Sequence, residues 1–227
     1  VETKPDQSPV TIADRESELF IRSEIEKYFP EDGILGEEFG KKESRSGFRW
    51  ILDPIDGTKS FIRGVPLYGT MIGLEKEGIP ILGVIRFPPL NQTLAALHNH
   101  GCTLNGVPCS VSHTDTLSKA TLTMTSYGDL VRDWGDQVLL QLIRKTGLHR
   151  TWGDCYGYLM VATGQADICI DTIVQIWDVT PLIPILQEAG GKITNLKGET
   201  SLIMKDTIAT NGLLQDEVIN LINSYKR

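Results

Sequence analysis

Two aspartates at the end of an apolar run are the residues of this chain best suited to chemistry. The run Trp50 to Leu52 leads directly into Asp53-Pro54-Ile55-Asp56-Gly57-Thr58. Two carboxylates held close together repel each other and lose hydration unless a positive charge lies between them. Mg²⁺ takes oxygen ligands and accepts one or two carboxylates together with water and phosphate. The spacing therefore predicts a divalent-cation site, while a turn that favours Asp, Pro and Gly for structural reasons is the alternative.

Further carboxylates lie beside element boundaries elsewhere in the chain. Glu37 and Glu38 follow the apolar run Ile34-Leu35, Asp14 lies in the first turn of a helical pattern, and Asp178 follows Trp177 at the start of another. Such a set of carboxylates could hold two cations about 4 Å apart, with one carboxylate bridging them. In the hydrolysis of a phosphate ester, one cation would activate a water and the other would neutralise the leaving alkoxide. These positions add to the prediction of a metal site, and helix capping is the alternative role for Asp14.

Composition narrows the class of protein. Of the 227 residues, 29 are acidic and 22 basic, which gives a net charge of −7 and no basic block, so we expect no nucleic-acid partner. No apolar run approaches eighteen residues, so we expect no membrane span. Four cysteines without metal-ligand spacing indicate free thiols in a reducing compartment, and we expect the cytoplasm.

The pattern of apolar residues predicts an antiparallel first lobe over residues 1–115 and an alternating second lobe over 116–227, with the site in the cleft between them. The predicted helices are 11–29, 134–145, 156–163, 179–189 and 213–225. The predicted strands are 48–52, 70–74, 79–87, 93–97, a short piece near 103, 120–125, 168–171 and 192–194. Pro80 favours an edge position, or a late start, for the strand 79–87.

Two separated segments resemble the signatures of the inositol monophosphatase superfamily, whose members are Mg²⁺-dependent and lithium-sensitive phosphatases. They are the run Trp50 to Phe61 and the run from Trp177-Asp178 to Gly190-Gly191, and the acidic pair Glu37-Glu38 lies where that family has one. The resemblance implies an α+β fold, the layered αβαβα sandwich of the inositol monophosphatase and fructose-bisphosphatase type. It also implies a homodimer.

The same resemblance implies a role for each acidic residue. The first Mg²⁺ would be held by Glu37, Asp53 and the Ile55 carbonyl, and the second by Asp53, Asp56 and Asp178. A third, weaker ion would lie near Glu37. Thr58, held by Asp14, would orient the attacking water. Independently of the family, Gly57 and Thr58 open a short helix whose N–H groups can cradle a phosphate.

The substrate is indicated by two further segments. The run Thr58 to Pro66, with Lys59 and Arg63, and the run Arg150 to Tyr158 look most like the histidinol-phosphate phosphatase branch of the family. Asp154 and Asp171 would then face the alcohol part of the substrate and suit a cationic amino alcohol, although Asp171 also suits a neutral polyol.

The leading hypothesis is a phosphomonoesterase that hydrolyses L-histidinol phosphate in histidine biosynthesis. Inositol-1-monophosphatase and 3′(2′),5′-bisphosphate nucleotidase are the alternative activities. An inactive relative that binds metal or sugar phosphate is the non-enzyme alternative.

Overall fold

The structure is a computed structural model and describes residues 1–4 and 9–226. The described helices are α1 Ile12–Tyr28, α2 Thr58–Phe61, α3 Tyr127–Trp134, α4 Asp136–Lys145, α5 Asp154–Ala162, α6 Ile176–Glu188 and α7 Gln215–Tyr225. The first strands are β1 Glu2–Thr3, β2 Pro9–Val10, β3 Gly33–Gly36, β4 Gly40–Lys42, β5 Phe48–Asp56, β6 Gly69–Lys76, β7 Ile79–Phe87, β8 Gln92–Leu97, β9 Cys102–Leu104 and β10 Val107–Cys109. The later strands are β11 Thr121–Met124, β12 Leu148–Arg150, β13 Ile168–Asp171, β14 Lys192–Thr194 and β15 Thr207–Thr210. No helix in these ranges is both long and apolar enough to span a bilayer.

Two sheets form the framework of the described chain. The larger has the order β10-β9-β8-β7-β6-β5-β3-β4 and is antiparallel except where β3 and β5 pair in parallel. The smaller has the order β12-β11-β13-β15-β14, with parallel pairs on both sides of β11 and antiparallel pairs on both sides of β15. The larger sheet comes from the first half of the chain and the smaller from the second, as the two-lobe interpretation expects.

The buried apolar residues divide into three clusters that define the layers. The largest lies between the two sheets and joins α5 and α6 to both of them. A second fills the space between the smaller sheet and the helices α3, α4 and α7. The third packs α1 against the outer face of the larger sheet. The layer order is therefore α, β, α, β, α, and the predicted sandwich is confirmed.

Helix α6 lies unusually close to the larger sheet because two strands carry glycine beneath it. A Cβ added at Gly83 would lie 2.0 Å from the carbonyl oxygen of Pro181, and one added at Gly73 would lie 2.7 Å from Cγ2 of Thr180. Side chains at these positions would push the helix away. The glycines thus allow the start of α6, which carries Asp178, to lie close to the sheet whose strand β5 carries Asp53 and Asp56.

Two predicted elements differ from the observed ones, and some observed elements were not predicted. The predicted helix 134–145 begins two residues later, as α4, because Gly135 at φ +95° separates it from α3, a helix that was not predicted. The edge position predicted for the strand after Pro80 is wrong, since β7 lies between β6 and β8. A register shift next to Pro80 accommodates the proline within the sheet. Strand β15, buried throughout, was not predicted because its four residues are too few to show a period.

Candidate active site

Three carboxylates from two distant segments converge at one point. Asp53 and Asp56 lie at the end of β5, where the register with β6 shifts between them, and Asp178 lies in the first turn of α6. One carboxylate oxygen from each of the three residues lies within 4.8 Å of the others. The shift takes both aspartates out of the regular alternation of the strand. The predicted convergence of these three residues is therefore observed.

The bonding of Asp53 fits a cation between these carboxylates. Asp53 is 3 % exposed, and its Oδ1 is a buried oxygen without a hydrogen-bond partner. Burial raises the pKa of the Asp53 carboxyl well above its usual range, and the charges of Asp56, Glu37 and Asp178 raise it further. A buried acceptor without a donor, surrounded by like charges, is costly unless a cation compensates it. An all-oxygen donor set of this kind suits Mg²⁺.

Glu37 lines the same cavity as the three aspartates, and its carboxylate contacts a lysine that the sequence did not indicate. The Lys4 ammonium lies 2.7 Å from Oε1 of Glu37 and 2.5 Å from Oε1 of Glu38. Burial raises the pKa of the Glu37 carboxyl, whereas Lys4 lowers it. Lys4 thus supplies positive charge at the edge of the acidic cluster.

Thr58 connects the end of β5 to the start of α1. Its hydroxyl lies 2.9 Å from the Ile55 carbonyl oxygen and 3.3 Å from Oδ1 of Asp14. The other Asp14 oxygen, Oδ2, accepts hydrogen bonds from the amide and hydroxyl of Thr11, the capping residue of α1. Asp14 therefore caps the helix with one oxygen and contacts Thr58 with the other, so both roles considered for it from the sequence are compatible.

Asp178 has the same double role at the other helix. Its Oδ2 accepts a hydrogen bond of 2.7 Å from the Gln175 amide and so completes the capping box of α6. Burial raises the pKa of the Asp178 carboxyl to about 7, against the effect of this hydrogen bond. The helix terminus thereby fixes the position of a carboxylate that faces Asp53 and Asp56.

A second cavity adjoins the acidic cluster, and we call it the alcohol cavity. It shares Asp56, Ile173 and Asp178 with the cavity that holds Glu37 and Asp53. Five carboxylates line it: Asp56, Asp129, Asp154, Asp171 and Asp178. No Lys, Arg or His is among its lining residues in the described chain. A cavity of this charge attracts cationic groups.

Asp154 and Asp171 both line the alcohol cavity, as the sequence predicts for substrate-facing residues. Asp154 has φ +51°, and its Oδ2 accepts a hydrogen bond of 3.4 Å from the Ser60 hydroxyl. Burial raises the pKa of its carboxyl, while Ser60 and then Lys59 lower it. Gly57 lies beside it at φ +82°, where a Cβ would be 3.1 Å from Oδ2 of Asp154. Only a glycine fits this turn without strain.

Asp171 is buried and held by two donors. Its Oδ1 accepts from the Thr125 amide at 3.2 Å, and its Oδ2 accepts from the Tyr158 hydroxyl at 2.7 Å. Burial raises the pKa of the Asp171 carboxyl to about 7, and the two donors oppose that rise. Near neutral pH a positive group in the cavity would favour its charged form.

Arg63, the remaining predicted substrate residue, does not reach either cavity. Its side chain is exposed, and its Nη1 donates to the Lys59 carbonyl oxygen at 3.2 Å. The turn after α2 directs the arginine to the surface, so a contact between Arg63 and a substrate is not supported.

The sequence also missed three contributors to the site. Lys4, Asp129 and the amide of Cys155, which donates to Oδ2 of Asp56, are brought there by packing between distant segments. No local motif could have indicated them.

Taken with the layered fold, an acidic cluster beside a carboxylate-lined cavity defines the class of metal-dependent phosphatases. The family model of the inositol monophosphatase family matches residues 1–227. The histidinol-phosphatase of Chlorobaculum parvum is 43% identical over 226 residues, which cover 99% of this chain and 87% of that protein. The histidinol-phosphatase of Mycobacterium tuberculosis is 38% identical, with 99% and 88% covered. The solved structure of an IMPase from Thermotoga maritima has a TM-score of 0.89 at 31% identity, with 98% and 86% covered.

The chain belongs to the inositol monophosphatase family. It is a phosphoric monoester hydrolase, as its relatives are. The family is Mg²⁺-dependent and acts on small-molecule phosphate esters.

Proposed function

We propose that this protein is a Mg²⁺-dependent phosphomonoesterase whose substrate is L-histidinol phosphate. The observation that carries the proposal is the set of five carboxylates, with no Lys, Arg or His among the described lining residues, in the alcohol cavity beside the acidic cluster. Histidinol phosphate joins a phosphate to an alcohol with an ammonium and an imidazole. The phosphate would lie at the cluster and the cationic alcohol in the cavity. Two relatives named histidinol-phosphatase support the same substrate.

Four side chains and one carbonyl would hold the metal ions. We assign Glu37, Asp53 and the Ile55 carbonyl to one Mg²⁺ and Asp53, Asp56 and Asp178 to a second, with a third ion near Glu37. Bound Mg²⁺ supplies an activated water and neutralises the charge on the leaving oxygen. The Asp53 Oδ1, buried without a hydrogen-bond partner, supports the assignment of Asp53 as a residue that would hold Mg²⁺.

The chain itself positions the water and the phosphate. The Thr58 hydroxyl can donate to Asp14 or to the Ile55 carbonyl and still accept from water, which would orient that water for attack. The amides of Gly57 and Thr58 would donate to phosphate oxygens, and the missing side chain of Gly57 leaves room for them. Ile55, Gly57 and Thr58 lie within one turn of the chain, so the sites for the water and for the phosphate are held in fixed relation.

Selectivity would come from Asp154 and Asp171. An ammonium or imidazolium gains a charge-assisted hydrogen bond from each carboxylate, which a neutral polyol cannot match. Inositol-1-phosphate is the second candidate substrate, because the buried Asp171 could also accept from a hydroxyl. A 3′(2′),5′-bisphosphate nucleotidase would place a second phosphate among these carboxylates, and the charge of the cavity opposes it. An inactive relative that binds metal or sugar phosphate would release no phosphate, so the release assay below separates it from the enzyme.

Three further features belong to the proposal. We place the protein in the cytoplasm, which agrees with its four free cysteines. We propose a homodimer and inhibition by Li⁺, which would replace one Mg²⁺. Gel filtration and a Li⁺ titration of the activity test the last two.

Phosphate release, with and without Mg²⁺, tests the proposed activity, and Asp154→Asn tests the assigned selectivity. The variant keeps the shape of the side chain and removes its charge. We expect kcat/KM for histidinol phosphate to fall about tenfold or more while that for glycerol 2-phosphate changes little. Asp115→Asn, at an exposed position outside both cavities, is the matched control. Equal losses on both substrates would reject a cation-binding role for Asp154, and Mg²⁺-independent release would reject the metal assignment.

A further inference from the structure

We propose that Asp129 is a specificity-determining residue that binds the second cationic group of the substrate, the imidazolium, in the alcohol cavity. This inference rests on the proposed function and adds a residue to it. Asp129 lines the alcohol cavity together with Asp154 and Asp171 but takes no part in the acidic cluster. It is the only carboxylate that α3 contributes to the lining described.

The backbone of α3 fixes the position of Asp129. Ser126 is the N-cap of the helix, and its hydroxyl accepts a hydrogen bond of 3.2 Å from the Asp129 amide. Leu130, the next residue, is buried in the cluster between the smaller sheet and its outer helices. The cap and the buried neighbour hold the Asp129 Cα at the cavity wall whatever its side chain contacts.

The charges around Asp129 leave it able to bind a cation. Its Oδ1 accepts from Nη1 of Arg132 at 2.6 Å. The same guanidinium donates through Nε and Nη2 to both oxygens of Asp133, at 2.8 and 3.0 Å. One positive charge is thus shared by two carboxylates. Lys226 is a further cation near Asp133. Among the described residues, however, Arg132 is the sole donor to the Asp129 carboxylate, and it contacts only Oδ1.

The lining beside Asp129 suits a ring as well as a charge. Leu130 and Ile173 line the alcohol cavity, and Ile173 remains 57 % exposed although it also lines the cavity of the acidic cluster. An imidazolium can pack its faces against aliphatic groups while an N–H donates to a carboxylate. Asp154 and Asp171 are then available for the ammonium. A substrate with two cationic groups would use all three carboxylates.

The alternative is that Asp129 and Arg132 form only an ion pair within the helix. Exposed ion pairs at this spacing contribute little to stability. In that case removing either partner would change stability slightly and would change KM by the same small factor. The proposal predicts opposite effects. Asp129→Asn removes the charge that binds the ring, whereas Arg132→Gln removes a competitor for that charge.

The test measures KM and kcat at saturating Mg²⁺ for histidinol phosphate and for 2-aminoethyl phosphate, which keeps the ammonium and lacks the ring. We expect Asp129→Asn to raise KM for histidinol phosphate about tenfold, with a much smaller change for the ringless ester. We expect Arg132→Gln to leave KM for histidinol phosphate unchanged or lower. If Asp129→Asn loses stability, Asp129→Ser serves for the same comparison.

Three results would overturn the inference. If the wild-type preference for histidinol phosphate over 2-aminoethyl phosphate is kept in Asp129→Asn, the role of Asp129 is contradicted but the proposed substrate is not. An increase in KM of equal size in the Asp129→Asn and Arg132→Gln variants would assign the effect to the ion pair. A wild-type protein without preference between the two esters would instead contradict the proposed substrate, and this inference with it.

Discussion

Carboxylates at the starts of helices both cap the helix and contribute an oxygen to the site in this molecule. Asp14 and Asp178 each use one oxygen to cap a helix, and each has a second oxygen that is available to the site. The cap removes conformational freedom from the side chain, so the second oxygen is positioned without a further contact. Asp53 has no such partner, and its unsatisfied Oδ1 makes it the residue whose environment most needs a cation.

Asp53→Asn tests the metal assignment at the scale of one residue. The substitution removes one negative charge from the cluster and keeps the apolar contacts of β5, so we expect the fold to survive. We expect kcat to fall on the order of a thousandfold or more, comparable to the loss of a principal electrostatic stabiliser. Initial rates at saturating Mg²⁺ measure the loss, and circular dichroism checks the fold. Near-normal turnover would reject the bridging role of Asp53.

At the scale of the elements, two contacts position the acidic residues, and each can be altered separately. Thr11 caps α1 through Asp14, and Gly83 lets α6 lie against the larger sheet.

The motifs of β5 and α6 could be predicted because the acidic residues follow apolar runs directly. The close approach of α6 could not, because it depends on glycines in β6 and β7 that have no local signal for a helix above them.

Thr11→Ala and Asp14→Asn separate the cap from the contact with Thr58. Loss of the Thr11 side chain should cost about 0.5–2 kcal/mol of stability with little change in turnover at 25 °C. Asp14→Asn disturbs the same cap and also the acceptor of the Thr58 hydroxyl. We therefore expect it to lower kcat by about a hundredfold in addition. Thermal melts and kcat for both variants are the measurements; a similar kcat for the two variants would leave Asp14 as a capping residue only.

Gly83→Ala should displace the start of α6. The new Cβ would lie 2.0 Å from the Pro181 carbonyl oxygen, and overpacking of this kind costs about 1–3 kcal/mol. We also expect weaker Mg²⁺ binding, since Asp178 lies in the same turn. Gly128→Ala is the control, because its Cβ would meet only the Ser126 hydroxyl, at 3.7 Å. Chemical unfolding and a Mg²⁺ titration measure the two effects; an unchanged Mg²⁺ affinity in a destabilised variant would show that Asp178 does not depend on this contact.

At the scale of the whole molecule, packing between distant segments of the chain produces contacts that no motif contains. Lys4 meets Glu37 across 33 positions of sequence, Thr125 meets Asp171 across 46, and Cys155 meets Asp56 across 99. The sequence could predict the carboxylates and, through the family resemblance, the layers. It could not predict which backbone amides and which lysine contact those carboxylates, nor that Asp129 joins them and Arg63 does not. The division at residue 115 stays an interpretation.

Mg²⁺ should stabilise the whole molecule, and more so at higher pH. Burial and mutual repulsion raise the pKa values of Asp53 and Asp56, and the pKa of Asp178 lies at about 7. Protons therefore compete with Mg²⁺ near and below neutrality. At about 100 times its Kd a ligand adds about 2.7 kcal/mol, or roughly 5–10 °C in Tm for a chain of this size. Calorimetry at pH 6 and pH 8 measures the shift. A shift that is absent, or larger at pH 6, would contradict a carboxylate site for the cation.

The central claim is that a carboxylate-lined cavity beside a metal cluster selects a cationic phosphate ester. Competition measures this directly: histidinol phosphate and inositol-1-phosphate are mixed at equal concentration with the protein and saturating Mg²⁺. Phosphorus NMR follows both substrates, and the ratio of their rates is the ratio of kcat/KM. We expect histidinol phosphate to be consumed at least about tenfold faster, the effect of one well-formed charge-assisted contact. Equal consumption, or faster consumption of inositol-1-phosphate, would contradict the claim.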